Sequence, residues 1–314
     1  MSTLIKCPVE IKSSGGRQGI DYSSINHVHI KEYGCFENVK MFGLNIAGMN
    51  ITPKNELTFD KETITTKLDL CFRTVEDMSS EESIRFALNI EKHITFLLAE
   101  SDENPMNGFS YAEMDWVNFR ATKIDSLLLE THCRPSIYVL STMIKSLIFK
   151  EKQWNVANEY NDVIFDSYYN GIKANHYTSK YFHWFLIIEA IEHSELYKRE
   201  FREYLFHSGE LDAIAEQFKD NEIKRNAITG LKNRTIKSRK EKLYEILQKM
   251  GITSYRFHNK DHALSLDIID KMIKFRNSLF HRGDKLDELF VWNNFFPIIR
   301  DVVRLLSEYP TLLD

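Results

Sequence analysis

The spacing of apolar positions changes once along the chain, and that change predicts the architecture. Through residues 1–80 the signal is alternation broken by turn residues. His27-Val28-His29-Ile30 alternates, residues 39–46 alternate in part, and 63–72 is the clearest strand. Gly15-Gly16 and Pro53-Lys54-Asn55 are turn material. Residues 81–98 then take helical spacing behind Ser79 or Ser80 as cap, and Ser101-Asp102-Glu103-Asn104-Pro105 ends that helix. Residues 109–129 fit neither period. From Tyr138 onward the pattern is helical almost without a break. Long helices are predicted over 181–197, 240–250, 266–282 and 287–307, with shorter ones over 155–173 and 210–218; Tyr309-Pro310 stops the last. Antiparallel packing of such helices gives a bundle. The expected fold class is α+β: a β-rich N-terminal domain, residues 1–150, and an all-α helical domain, residues 151–314.

Composition narrows the functional classes. The chain has 314 residues, 43% hydrophobic and 27% charged, which is ordinary globular usage without a disorder signature. A net charge of −4 and a pI near 6.3 argue against a wholly basic nucleic-acid coat and leave room for a local basic patch. The start, Met1-Ser2-Thr3-Leu4-Ile5-Lys6, lacks the apolar core of a signal peptide, and the most apolar stretch, 181–191, is interrupted by His183 and Glu189. A cytoplasmic protein without a membrane role is expected. Cys7, Cys35, Cys71 and Cys133 form no C-x-x-C pair, so reduced thiols are expected. His27 and His29 share one strand face, but two ligands do not make a zinc site. No metal and no cofactor are expected.

The helix over 266–282 carries a charge where its pattern asks for none. Leu266, Ile269, Ile273 and Phe280 form one stripe, and Ile268, Met272, Phe275 and Leu279 an adjoining one. Arg276 falls inside that apolar arc, between Ile269 and Met272. A charge there must meet a carboxylate or line a wet cleft. Glu189, among Phe182, Phe185 and Leu186 on another apolar helix, is the candidate partner. Asn277 and His281, at i and i+4, share a face, so an amide can orient an imidazole. Spacing alone also fits a plain reading: Arg276 as an ion-pair residue and His281 as a cation at a helix C-terminus.

Arg276-Asn277-Ser278-Leu279-Phe280-His281 resembles the R-x4–6-H motif of the HEPN superfamily, including the polar residue directly after the Arg. Residues 180–191, with the embedded Glu189, and Ser238-Arg239-Lys240-Glu241-Lys242-Leu243-Tyr244 are similar in order to the ApeA-like branch. The resemblance covers about residues 150–310 and implies a helical HEPN-like domain. It implies either a metal-independent endoribonuclease of the toxin, anti-phage or abortive-infection kind, or a catalytically silent module that binds RNA, nucleotide or protein. Some HEPN toxins carry a Tyr two residues after the motif His, which a partner enzyme modifies. Here Arg282-Gly283-Asp284 follows, which removes the basis for that control.

Metal-free RNA cleavage needs a base for the 2′-OH, charge stabilisation for the phosphorane and an acid for the leaving 5′-oxygen. His281 suits proton transfer, Arg276 can hold phosphate oxygens with its fork, and Asn277 can orient the imidazole. The products would carry 2′,3′-cyclic phosphate and 5′-hydroxyl ends. One motif supplies one imidazole, so a homodimer with a composite site is expected, as the resemblance also implies. Lys232, Arg234, Lys237, Arg239 and Lys240 belong to the most basic stretch: within 221–242, eight cations face Glu222 and Glu241 alone in sequence. RNA-backbone contact and a plain solvated face both fit it. The N-terminal domain is expected to sense a trigger or restrain the site.

Overall fold

In the computed structural model the described residues are 2–14, 27–30, 35–58, 63–100, 109–124, 144–147, 163–201, 205–206, 208–233, 236–257, 260–282 and 285–314. They form an α+β structure, an N-terminal antiparallel sheet followed by helices. The first part comprises β1 (Ser2–Ser13), β2 (His27–Ile30), β3 (Cys35–Met41), β4 (Leu44–Thr58), β5 (Thr63–Thr74), α1 (Ser80–Glu100), β6 (Ser110–Met114), β7 (Arg120–Ile124) and β8 (Ile144–Leu147). The second comprises α2 (Val163–Lys173), α3 (Tyr177–His193), α4 (Glu195–Glu200), α5 (Ser208–Glu216), α6 (Glu222–Thr229), α7 (Arg239–Lys249), β9 (Ser254–Phe257), β10 (Lys260–Ala263), α8 (Leu266–Arg282), α9 (Glu288–Phe290) and α10 (Phe296–Glu308). The predicted domain border at residue 150 lies outside the described residues, as do Gly15-Gly16, residues 155–162 and Gly283.

The main sheet runs in the order β3-β4-β5-β1-β6, with β7 also paired to β1. Strand β1 uses its second half for β6, Val9↔Met114 to Ser13↔Ser110, and its first half for β7, Ser2↔Ile124 to Lys6↔Arg120. Alternation decides which face is buried: Ile5, Cys7, Val9 and Ile11 point inward, as do Leu68, Leu70 and Phe72 on β5. Helix α1 covers that face, with Phe86 edge-on to Phe72 at 5.0 Å. It also covers the open edge of β6. The Ala112 N–H donates to Thr95 Oγ1 at 2.9 Å and the Met114 N–H to Glu91 Oε2 at 2.9 Å, which closes an edge that would otherwise invite another strand. The cap of α1 is Ser79, whose hydroxyl accepts from the Glu82 N–H while the Glu82 carboxylate accepts from the Ser79 N–H.

Several expectations are corrected. Pro53-Lys54-Asn55 is not a turn but part of β4, registered opposite Leu68, Lys67 and Thr66. Among the described residues β3 pairs with β4 from Met41↔Leu44 to Cys35↔Asn50, and Pro53 lies beyond that stretch. The true turn is Phe42-Gly43, both with positive φ (50° and 79°), the geometry that two-residue hairpins require. Phe42 tolerates it because its ring is buried against Phe86 at 5.7 Å. Residues 109–129 include two strands, β6 and β7. The helical run expected from Tyr138 includes β8, paired in parallel with β2. The second half is not all-α, since β9 and β10 form a hairpin, Ser254↔Ala263 to Phe257↔Lys260. The expected helix 181–197 starts earlier and breaks at Ser194, whose hydroxyl caps α4 by accepting from the Tyr197 N–H. The last helix is continuous from Glu288 but passes through a π-helical turn, Val291–Phe295. Cys7 and Cys71 are free thiols, and burial pushes the Cys7 thiol up; Cys133 and the Cys35 side chain lie outside the described residues.

Sheet and helices share one continuous apolar core. Phe109 reaches from the start of β6 into Trp184, Trp292 and Phe296, at 5.9, 5.7 and 4.7 Å between ring centroids. Helices α2 and α3 approach so closely at Gly171 that a Cβ there would meet Trp184 Nε1 at 2.1 Å. At the same level Lys180, fully buried on α3, places Nζ 2.9 Å from Ser14 Oγ, 2.9 Å from the Ile172 carbonyl and 3.3 Å from the Gly171 carbonyl. It closes the carbonyl end of α2 and ties β1 to both helices. Burial holds its amine well below the usual lysine range. The amine donates to all three, the Ser14 hydroxyl oxygen and the two carbonyls.

Candidate active site at the α3–α8 seam

Helix α8 has the predicted bounds. Ile269 and Met272 are fully buried, and Arg276 follows one turn after Met272. The buried Tyr181 hydroxyl of α3 donates to the Met272 carbonyl, which pins α8 against α3. Further along both helices Arg276 meets Glu189: Nε and Nη2 both donate to Oε1, at 3.2 and 2.9 Å. The side chains keep 26% and 28% of their exposure, so this pair lines an open seam rather than a sealed core. A pair this exposed contributes little to stability, about 0–1 kcal/mol. Its guanidinium stays within reach of another anion.

A second pair lies beside the first. Arg239, at the start of α7, grips Glu192 with both ends of its fork, Nε–Oε1 at 2.7 Å and Nη2–Oε2 at 2.6 Å. Its guanidinium also sits 5.6 Å from the Phe185 ring, and the charge of Glu189 adds to that of Glu192 in holding it protonated. Helix α3 thus presents two carboxylates, one turn apart, to arginines from two other helices. The sequence pointed to Glu189 but not to Glu192. The missed signal was the i, i+3 spacing of the two acids on one stripe. His193 was missed as well: its Nδ1 lies 2.6 Å from the Glu189 carbonyl oxygen, one turn back.

The remaining predicted residues fall as follows. Asn277 is exposed on α8, next to Arg276. His281 lies on the last turn of α8; its side chain is outside the described residues. Lys237 pairs with Glu245 at 2.6 Å, Arg239 with Glu192, and Lys240 with Asp270 at 3.7 Å. The basic stretch is thus partly neutralised by carboxylates from other segments, which a count along the sequence cannot see. Arg234 and the Lys232 side chain lie outside the described residues, as do the side chains of His27 and His29. Among the described residues no three His, Cys, Asp or Glu side chains gather as a metal site, and no helix is long and apolar enough to cross a membrane.

No family model, no curated protein and no solved structure matches the chain. The functional reading rests on the residues and their geometry.

Proposed function

We propose that this chain is a metal-independent endoribonuclease of the HEPN type, cytoplasmic and active in anti-phage or abortive-infection defence. The observation that carries the reading is Arg276, set in the apolar arc of α8, held at a half-open seam by Glu189 and followed after five residues by His281 at the helix end. In this reading Glu189 keeps the guanidinium oriented until RNA arrives. A scissile phosphate then exchanges with the carboxylate and takes the fork of Arg276, which stabilises the phosphorane. Asn277 orients the imidazole or contacts phosphate, and His281 transfers a proton at the 2′-oxygen. The products are 2′,3′-cyclic phosphate and 5′-hydroxyl ends. Two chains associate as a homodimer along the HEPN-like helical domain, residues 151–314, while residues 1–150 sense a trigger or restrain the site. Mass measurement in solution checks the dimer.

A second reading, a catalytically silent HEPN module, is favoured by one observation: Arg276, Arg239, Lys237 and Lys240 all already hold carboxylates. Cleavage of single-stranded RNA in EDTA by wild type and by His281→Ala, with analysis of product ends, separates the two. Cyclic-phosphate ends that vanish in the variant support the nuclease. Intact RNA with both proteins, with and without lysate from phage-infected cells as a source of trigger, rejects it in favour of the binding module.

A further inference from the structure

Phe185, Glu189 and Glu192 follow one another at i, i+4 and i+7, so they form one stripe on the last turns of α3. The two carboxylates on it are held differently. Arg239 closes both oxygens of Glu192, Nε–Oε1 at 2.7 Å and Nη2–Oε2 at 2.6 Å, and Glu192 keeps only 10% of its side-chain exposure. Arg276 sends Nε and Nη2 to one oxygen of Glu189, whose side chain stays 28% exposed. Parting the first pair strands a largely buried charge, which is costly. Parting the second turns its members toward water. The first pair is permanent and the second exchangeable.

Arg239 also reaches beyond its own partner. Its guanidinium is bonded to Glu192 and lies 5.6 Å from the Phe185 ring, so it spans the level of Glu189, which stands between the two on the stripe. The charge of Glu189 accordingly acts on it as well. Two guanidiniums thus face Glu189, Arg276 in direct contact and Arg239 from alongside. Without Arg239 the stripe would hold two like charges one turn apart against Arg276 alone. A phosphate coming to Arg276 would then meet a net negative site.

We infer that Arg239 is a positioning residue of the site: it neutralises Glu192 and shares the field of Glu189, so that Arg276 can exchange Glu189 for a phosphate of RNA. It acts through the two carboxylates and does not itself touch RNA. The inference rests on the reading of Arg276 as the phosphate-holding residue given above.

The test is steady-state cleavage of single-stranded RNA in EDTA, with KM and kcat separated, for wild type, Arg239→Gln and the double variant Arg239→Gln/Glu192→Gln. RNA affinity by fluorescence anisotropy is measured beside it. Arg239→Gln is expected to raise KM and Kd roughly tenfold at low salt, and the loss shrinks as salt screens the extra charge. Its kcat changes much less, whereas a loss of folded molecules would lower the apparent kcat and leave KM as it was. The double variant leaves neither charge unpaired and should return KM to within about twofold of wild type. An Arg239→Gln protein with wild-type KM, a loss confined to kcat, or a double variant with KM still raised roughly tenfold would each overturn the inference. The last of these would make Arg239 itself an RNA contact. Should Arg239→Gln alone not fold, the KM of the double variant decides by the same criterion. Wild-type cleavage in any of these cases leaves the ribonuclease reading standing. A wild type that binds RNA without cleaving it would overturn the ribonuclease reading alone, and the same order of variants is then read in Kd. A wild type that neither binds nor cleaves RNA would overturn both.

Discussion

Two basic side chains meet along α3, Lys180 from its own first turn and Arg276 from α8, and they are kept in opposite ways. Lys180, near its start, is fully buried, reaches a hydroxyl and two carbonyls, and has its amine pushed well below the usual range by burial. Arg276, against its last turns, keeps about a quarter of its exposure and holds a carboxylate. Both lie on helices with apolar faces, and the sequence singles out Arg276 alone. The packing separates them. A sealed polar group whose partners are all used is a tie between elements; a half-open one with an exchangeable partner can bind something else. Burial together with the kind of partner, rather than a misplaced charge as such, marks the candidate site.

The sharpest way to break this comparison is to truncate the sealed cation. Lys180→Ala empties a core position and strands the Ser14 hydroxyl and two helix-end carbonyls, an expected loss of about 2–5 kcal/mol in urea unfolding. Lys180→Met fills the volume, costs less and also removes a pH dependence. In wild type the folded-state pKa of Lys180 lies below its unfolded value. Between the two the unfolded chain binds more protons, so the contribution of Lys180 to stability rises with pH and is complete above the unfolded lysine value of about 10.4. It is lost as pH falls through the folded value. Subtracting the Lys180→Met curve from the wild-type curve isolates that slope, because Cys7, Tyr168 and Tyr181 titrate in both proteins. If Lys180→Ala unfolds like wild type, the junction is not the tie described.

The open cation should behave in reverse. Arg276→Ala is expected to change stability by no more than about 1 kcal/mol, since its pair keeps about a quarter of its exposure to solvent. It should lower RNA cleavage by roughly 100-fold or more, the effect of removing a donor aimed at developing charge. Arg276→Lys keeps the charge without the fork and should recover only part of the rate. Glu189→Gln tests the orienting role: if folding and cleavage both survive unchanged, Glu189 does not position Arg276.

How much of this was legible in the sequence follows from where each signal lives. The bounds of α8 and the mismatch at Arg276 are both local, so periodicity found them. The start of α1 was legible within one residue from Ser79 or Ser80 as cap, and the structure selects Ser79, paired with Glu82. Strand β4 was not, because Pro53-Lys54-Asn55 reads locally as a turn, and its place opposite Leu68, Lys67 and Thr66 is a fact of sheet pairing rather than of sequence. Hairpin β9–β10 has strands of four residues each, too short for alternation to stand out. Helix α6 buries no residue, so it has no apolar stripe to detect. His193 depends on a side chain reaching the carbonyl one turn back, and the Arg239–Glu192 pair on the packing of α7 against α3. Neither contact is written in spacing along one segment.

The smallest expected effects fall on the basic stretch, where they refine the same contrast between engaged and available cations. Lys237 and Lys240 already face Glu245 and Asp270 at the surface. Lys224 and Arg225 on α6 are exposed and have no carboxylate within ion-pair distance among the described residues; Lys224 sits over the Phe218 ring at 5.3 Å. Truncating Lys237 and Lys240 together should change folding stability by less than about 1 kcal/mol and leave the salt dependence of RNA binding nearly as it was. Truncating Lys224 and Arg225 together should flatten it, by about 0.7 in log–log slope for each single-strand phosphate that is no longer neutralised. The measurement is RNA affinity by fluorescence anisotropy across a salt series. Equal slopes for both double variants and wild type would mean that RNA does not track along this stretch, leaving the α3–α8 seam as its contact. A slope that flattens only for the Lys237 and Lys240 pair would mean that surface carboxylates release their lysines to RNA. Availability could then no longer be read from the ion pairs, and the pairing of Arg276 with Glu189 would lose its value as a guide as well.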